Sequence, residues 1–194
     1  MEHHVDAALD QALTALNRLR EDHQARANIV DAAKRISQAF KAGGRLFSCG
    51  NGGSMCDAMH LAEELTGKFR DDRAPLPAMA ISDAGFLSCA ANDYGYDLVF
   101  ERWIEAHGRK GDVLVAISTS GTSKNVVKAA QAARKKGLTV VALTGKDGST
   151  LGNAADLSIV TRGEKYADRV QELHIKVIHI LIELIEKEMF GGGK

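Results

Sequence analysis

Arg45–Phe69, RLFSCGNGGSMCDAMHLAEELTGKF, decides the fold. It opens as a short apolar strand, Leu46–Cys49, and breaks into Gly50-Asn51-Gly52-Gly53-Ser54, where glycine lets the backbone approach a ligand closely. From Met55 to Phe69 it reads as a helix. A strand, a glycine turn and a helix N-terminus form an anion site, because unpaired N–H groups and the positive dipole end point outward. The helix then carries His60 and Glu64, four residues apart and on one face. Alone, the glycines suit a tight turn as well as a cradle. The spacing matches neither the dinucleotide fingerprint nor the P-loop.

Outward from this stretch, strands and helices alternate. Residues 4–22 read as an amphipathic helix with Leu9, Ala12, Leu13, Leu16 and Leu19 at helical spacing, and 26–42 as a second, ended by Gly43-Gly44. The first helix suits packing on its own domain or on another subunit. After the proline-bearing loop 71–77 come a strand at 78–81, a helix capped by Asp83 and running to about Ala91, a polar turn at Asn92–Tyr96, and a helix at 98–107. Asp112–Ile117, DVLVAI, is a β-branched buried strand. A helix at 124–136, a strand at 139–143, a turn at 145–148, a strand at 156–160 and a long helix at 167–189 complete the chain. Residues 191–194 read as a tail.

This alternation predicts an α/β fold, a three-layer doubly wound sheet of five parallel strands with extra N-terminal helices. It forms one domain: 1–42 the N-terminal helices, 43–190 the sandwich. Ligands bind such sheets outside the C-terminal strand ends, where strand order reverses. That puts Gly50–Ser54 beside the other strand-end loop, Ser118–Ser123. Ser118, Thr119, Ser120 and Ser123 crowd hydroxyls ahead of a helix start, more than one N-cap needs, and so suit a phosphate.

The 194 residues suffice for a full core, and 45% apolar with 26% charged residues is ordinary for a globular protein. With 25 basic and 25 acidic residues the net charge is zero, which argues against a broad nucleic-acid surface. Three cysteines, Cys49, Cys56 and Cys89, with no C-x-x-C, read as reduced thiols of a cytosolic protein. The N-terminus lacks the apolar run of a signal peptide, and no stretch is long enough to span a membrane. The last helix sets Gln171, His174 and His179 among Val170, Leu173, Val177, Ile178, Leu181 and Ile182. There a histidine suits the core as well as a site. Gln171 and His179 are separated by ~12 Å along a regular helix, so spacing alone does not pair them.

CGNGGS-x-CDAMH-x-AEELTG, ISTSG-x-S, ALTGKDG and YADR-x-QE-x-HIKVIHILI-x-LIEKEM together resemble the sedoheptulose-7-phosphate (phosphoheptose) isomerases of the sugar isomerase, or SIS, superfamily. The resemblance runs from about Phe40 to Met189. It implies a flavodoxin-like cytoplasmic homotetramer. Such an enzyme makes D-glycero-D-manno-heptose 7-phosphate from sedoheptulose 7-phosphate for the ADP-heptose and lipopolysaccharide core of Gram-negative bacteria. It further implies that Glu64 is the catalytic base and His179 the acid. Asn51, Gly52 and Gly53, with Ser54 beside them, line the sugar site, and Asn92, Asp93 and Gln171 also contact substrate. Ser118, Thr119, Ser120 and Ser123 hold the phosphate. His60, Glu64, Gln171 and His179 match a zinc (Zn2+) set, and the site is shared between subunits. Lys68 departs from the arginine common there, which touches any bidentate contact.

Ketose–aldose exchange suits these types: a carboxylate for the carbon proton, an imidazole for the oxygens. The alternative is a non-catalytic SIS protein that binds the replication initiator, in which Glu64 and His179 would be free to vary. A phosphosugar-sensing regulator would need a DNA-binding module that nothing before Arg45 supplies.

Overall fold

The structure is a computed structural model and describes residues 1–163 and 166–191. Its elements in order are α1 (Glu2–Glu21), α2 (His23–Lys41), β1 (Leu46–Cys49), α3 (Gly53–Thr66), β2 (Ala78–Ala80) and α4 (Ala84–Tyr94). A 3₁₀ turn (Tyr96–Leu98) leads into α5 (Val99–His107) and β3 (Val113–Ser118). Then come α6 (Lys124–Lys135), β4 (Thr139–Thr144), α7 (Thr150–Ala154), β5 (Leu157–Val160) and α8 (Ala167–Phe190).

The sheet has five strands in the order β2-β1-β3-β4-β5, every neighbouring pair parallel. Strand order reverses between β1 and β3, so the loops leaving these two strands flank the crevice where this architecture takes its ligands. β1, β3 and β4 are buried on both faces, which is why they read as continuous apolar runs. Alternation shows in what each residue meets. Leu46, Val113, Val115, Ile117, Val141 and Leu143 pack with α2, α3 and α8. Phe47, Cys49, Leu114, Ala116, Val140 and Ala142 pack with α4, α5, α6 and α7 on the other face. The expected three layers are present.

Four local differences from the sequence reading have physical causes. Asp22 ends α1 and caps α2 through a bond from the Ala25 N–H to its carboxylate, 2.9 Å, so the helices meet at a single residue. α3 stops at Thr66, where Gly67 takes a conformation outside the helical region. α4 runs on through Asn92 and Asp93 to Tyr94 and stops at Gly95, φ +82°, so these two residues are helical and not in a turn. α7 is additional: Ser149 accepts from the Gly152 N–H at 3.1 Å, and Leu151 is buried beneath it.

α1 lies along α2 and α8 but buries only Ala15 and Leu19. Val5, Leu9 and Leu13 are 59%, 64% and 57% exposed. Of the tail, Gly192–Lys194 lie outside the described residues.

Candidate active site

The Gly50–Ser54 loop turns with Gly52 at φ +54°, ψ −124°, a conformation that costs a side chain dearly. Gly53 is glycine for another reason. A Cβ there would stand 2.5 Å from the Gln171 Nε2 of α8, so the missing side chain lets α8 cross the N-terminus of α3.

The Ser118–Ser123 loop gathers its hydroxyls on one another. Ser118 Oγ is 3.0 Å from Ser123 Oγ and 3.4 Å from Ser120 Oγ, and the Gly121 N–H donates to Ser118 Oγ at 3.2 Å. Ser123 sits at the N-cap of α6 without a side-chain cap bond, so the Lys124 and Asn125 N–H groups keep their capacity to donate. Thr119 anchors the next strand end, its carbonyl accepting from the Gly145 N–H at 3.0 Å.

Asn125 joins the two loops, and sequence reasoning missed it. The Val126 N–H donates to Asn125 Oδ1 at 3.0 Å, which orients that carboxamide. Asn51 Nδ2 then donates to Asn125 Oδ1 at 2.9 Å, and Asn125 Nδ2 donates to Asn51 Oδ1 at 2.8 Å. Asn125 is 3% exposed, and the Tyr96 hydroxyl adds a bond to Asn51 Oδ1 at 3.1 Å. The side chain of Asn51 therefore clasps the first turn of α6, directly behind the hydroxyl loop. Tyr96, not Asn92 or Asp93, makes the polar contact with Asn51. Those two are exposed and bond to each other at 2.8 Å.

On the other side of the turn, α3 and α8 run side by side. His60 Nε2 lies 3.1 Å from His179 Nε2 and 3.4 Å from Glu64 Oε1. Phe69 leans on His179 with ring centroids 5.7 Å apart. Burial holds the His179 imidazolium below the usual histidine range, the charge of His60 next, and Lys176 and Arg70 act the same way against Glu64. The neutral imidazole of His179 is thus the favoured form. A cavity of about 450 Å³ opens beside this junction, lined by Gly53, Cys56, Asp57, His60, Asp168, Gln171, Glu172 and Ile175. Asp57 was missed although it lies one turn before His60 on the same face. One of its carboxylate oxygens is buried without a partner, and burial raises its pKa to about 6, with His60 pulling the other way. The structure thus brings His60, Glu64 and His179 together and sets Gln171 on the same cavity at Gly53.

A family model described as SIS domain matches residues 9–145. The phosphoheptose isomerase of Sodalis glossinidius is 56% identical over 185 residues, 95% of each chain. That of Yersinia enterocolitica is 57% identical over 180 residues, 93% of each. The chain belongs to the phosphoheptose isomerase family. Phosphoheptose isomerase GmhA from Neisseria gonorrhoeae, 36% identical, superposes with a TM-score of 0.88 over 96% of this chain and 98% of that one. The Francisella tularensis phosphoheptose isomerase, 29% identical, gives 0.89 over 95% and 97%.

This phosphoheptose isomerase is an enzyme of the aldose–ketose class, which displaces the reading as a non-catalytic SIS protein. No helix among its described residues is long and apolar enough to cross a membrane. Around His60 the spacing suits a metal, while Gln171 of the expected set lies at Gly53. Tetrahedral zinc with bonds of ~2.0–2.1 Å separates its ligand atoms by about 3.3 Å. The separations at His60 are 3.1 Å and 3.4 Å. Glu63 joins His60 and Glu64 in a group whose ligand atoms all lie within 4.8 Å, though it is exposed.

Proposed function

We propose that the two strand-end loops and the α3–α8 junction form one active site. There the enzyme interconverts sedoheptulose 7-phosphate and D-glycero-D-manno-heptose 7-phosphate through an enediol. The observation that carries this is the meeting of His179 with Glu64 and His60 on the helix that opens at the glycine turn, a turn whose Asn51 is bonded to Asn125 just behind the hydroxyl loop.

The phosphate sits on Ser118, Thr119, Ser120 and Ser123 and on the N–H groups at the start of α6, where the helix dipole favours a dianion. Asn51, Gly52 and Gly53 present backbone N–H groups to the sugar, with Gln171 alongside and Asn92 and Asp93 at the outer edge. Glu64 takes the proton from C1 of the open-chain ketose and returns it to C2. His179 moves the proton between the two oxygens. A neutral imidazole both donates and accepts, and burial favours that form here.

Zn2+ held by His60, Glu64 and His179, with Gln171 of the expected set having to reach along α8 from its place at Gly53, would polarise the carbonyl and enediol oxygens. A residue bound to zinc through its reactive lone pair is not free for proton transfer, so either the metal would be displaced or loosely bound in turnover, or the roles would divide differently. The uncovered Val5–Leu9–Leu13 stripe of α1 supports a homotetramer, with these helices buried between subunits and the site shared. A cytoplasmic enzyme feeding ADP-heptose and lipopolysaccharide core synthesis is the setting that fits.

The test is incubation with sedoheptulose 7-phosphate, following aldoheptose 7-phosphate by NMR, with and without added zinc and beside Glu64→Gln. Product from the parent and not from the variant establishes reaction and base together. No product from folded parent protein under either condition refutes the reading.

A further inference from the structure

Arg73 stands in the loop after α3, outside every motif that carries chemistry, yet only 6% of its side chain is exposed. All three nitrogens of its guanidinium donate. Nη2 donates to the Glu64 carbonyl at 2.7 Å, and Nη1 donates to the carbonyls of Leu65 and Gly67, both at 2.8 Å. Nε donates to Glu186 Oε1 at 2.8 Å, and Glu186 is itself only 15% exposed.

These partners belong to two elements. Glu64 and Leu65 carry last-turn carbonyls of α3, which no helical N–H can reach, and a cation is favoured at that end of the dipole. Glu186 belongs to α8, seven residues beyond His179. Seven residues are ~700° of helix, within about 20° of two full turns, so Glu186 and His179 share one stripe of α8. The stripe that puts His179 against His60 thus also puts Glu186 against Arg73.

We infer that Arg73 is a positioning residue for the isomerisation: its guanidinium clamps the C-terminus of α3 to α8 and so sets the separation of Glu64 from His179. The inference rests on Glu64 and His179 being the reacting pair. Arg73 touches no reacting atom. It acts through the backbone of the residue that removes the proton. Lysine cannot replace it, because one ammonium cannot span three carbonyls and a carboxylate arranged around a planar fork. Proton transfer demands close placement, and a shift of about 1 Å at the reacting groups costs up to ~100-fold in rate.

The experiment compares full-length Arg73→Gln, Arg73→Lys and Glu186→Gln with the parent and with Glu64→Gln. It reads kcat and KM for sedoheptulose 7-phosphate, the competitive inhibition constant of inorganic phosphate, and folding by circular dichroism. The expected result for Arg73→Gln and Arg73→Lys is a kcat lower by at least about tenfold. The phosphate constant stays within twofold, because the hydroxyl loop belongs to β3 and α6. Glu186→Gln keeps the carbonyl cap and loses only the ionic tie, so its kcat falls less, by several-fold. A folded Arg73 variant with kcat within twofold of the parent overturns the inference. So does a loss of kcat matched by an equal loss of phosphate affinity, the mark of general loosening. Should neither Arg73 variant fold, Glu186→Gln decides: a kcat within twofold overturns the clamp, and a several-fold fall at constant phosphate affinity supports it. An active Glu64→Gln refutes the site assignment itself. An inactive Glu64→Gln beside fully active Arg73 variants refutes the clamp alone.

Discussion

Replacing His174 with leucine should flatten the acid side of the stability profile. His174 lies on α8, is 0% exposed, and neither ring nitrogen has a hydrogen bond of ordinary geometry. Burial disfavours its charged form and lowers its pKa to about 4, while the nearby Thr144 backbone works the other way without offsetting the burial. In the unfolded chain the same group titrates near its model value of 6.5. Below that pH the unfolded state takes up a proton that the folded state refuses. The stability His174 confers is therefore whole above pH 6.5 and is lost progressively as pH falls toward 4. Integrating between those values gives a loss of about 2.5 kcal/mol from pH 7.5 to 4.5. Asp57 opposes it. Its folded pKa is raised from 3.8 to about 6, so its contribution is whole below 3.8 and is lost as pH rises through 6. Because Asp57 is only half-buried, that term is the smaller. The parent profile between pH 4 and 6.5 is thus a partial cancellation, and a difference between variants is needed to see either term. The assay is urea unfolding at fixed protein concentration from pH 7.5 to 4.5 for the parent, His174→Leu and Asp57→Asn. The gap between His174→Leu and the parent should widen by about 2.5 kcal/mol toward acid, and Asp57→Asn should steepen the parent slope. Parallel curves for the parent and His174→Leu would show that both states protonate this ring alike, and the reasoning from burial would fail.

Glu64→Gln keeps the shape of the side chain and removes the base, so turnover should fall by at least ~100-fold with substrate still bound; His179→Gln should behave alike, and a near-normal kcat would return either residue to a structural role. Removing the hydroxyls of Ser118 and Ser120 should raise the inhibition constant of inorganic phosphate by roughly 10-fold or more per hydroxyl, at ~1.5–3 kcal/mol for a bond to a charged group. An unchanged constant would count against the cradle. Asn125→Leu removes the partner of both Asn51 amide atoms and of the Val126 N–H, so thermal unfolding should report a loss of about 1–3 kcal/mol together with a raised KM. Unchanged stability and KM would mean that the clasp does not hold the turn.

Strand positions were legible because α/β sheets bury both faces of their central strands, and DVLVAI has nothing polar to place after Asp112. Asp112 then ties the strand start to Arg45, at 2.9 Å from both its backbone N–H and its guanidinium. The polar turn expected at Asn92–Tyr96 was drawn from composition: Asn, Asp and Gly favour turns when they stand alone. Here Asn92 and Asp93 follow a helix already propagated from the Asp83 cap, and only Gly95 leaves helical conformation. α7 escaped because Gly152 and Asn153 are poor helix formers, so the cap and the burial of Leu151 sustain it.

Site residues divide along the same line. Hydroxyl crowding at Ser118–Ser123 and the His60–Glu64 pair are local patterns, so both were visible. The Asn51–Asn125 clasp, the Arg73 clamp and the reason for Gly53 all depend on partners 74, 113 and 118 residues away. No periodicity encodes such pairings. One packing event produces several of them together. Gly53 to His60 is seven residues on α3, and Gln171 to His179 is eight on α8, rises of ~10.5 and ~12 Å. Laid parallel, the two helices therefore meet at both ends, Gln171 over Gly53 and His179 over His60. Gln171 at Gly53 and the His60–His179 contact are consequently two ends of one helix–helix seam. A side chain at position 53 would wedge one end of that seam and be felt at the other, so the glycine serves the seam while Gly52 serves the turn.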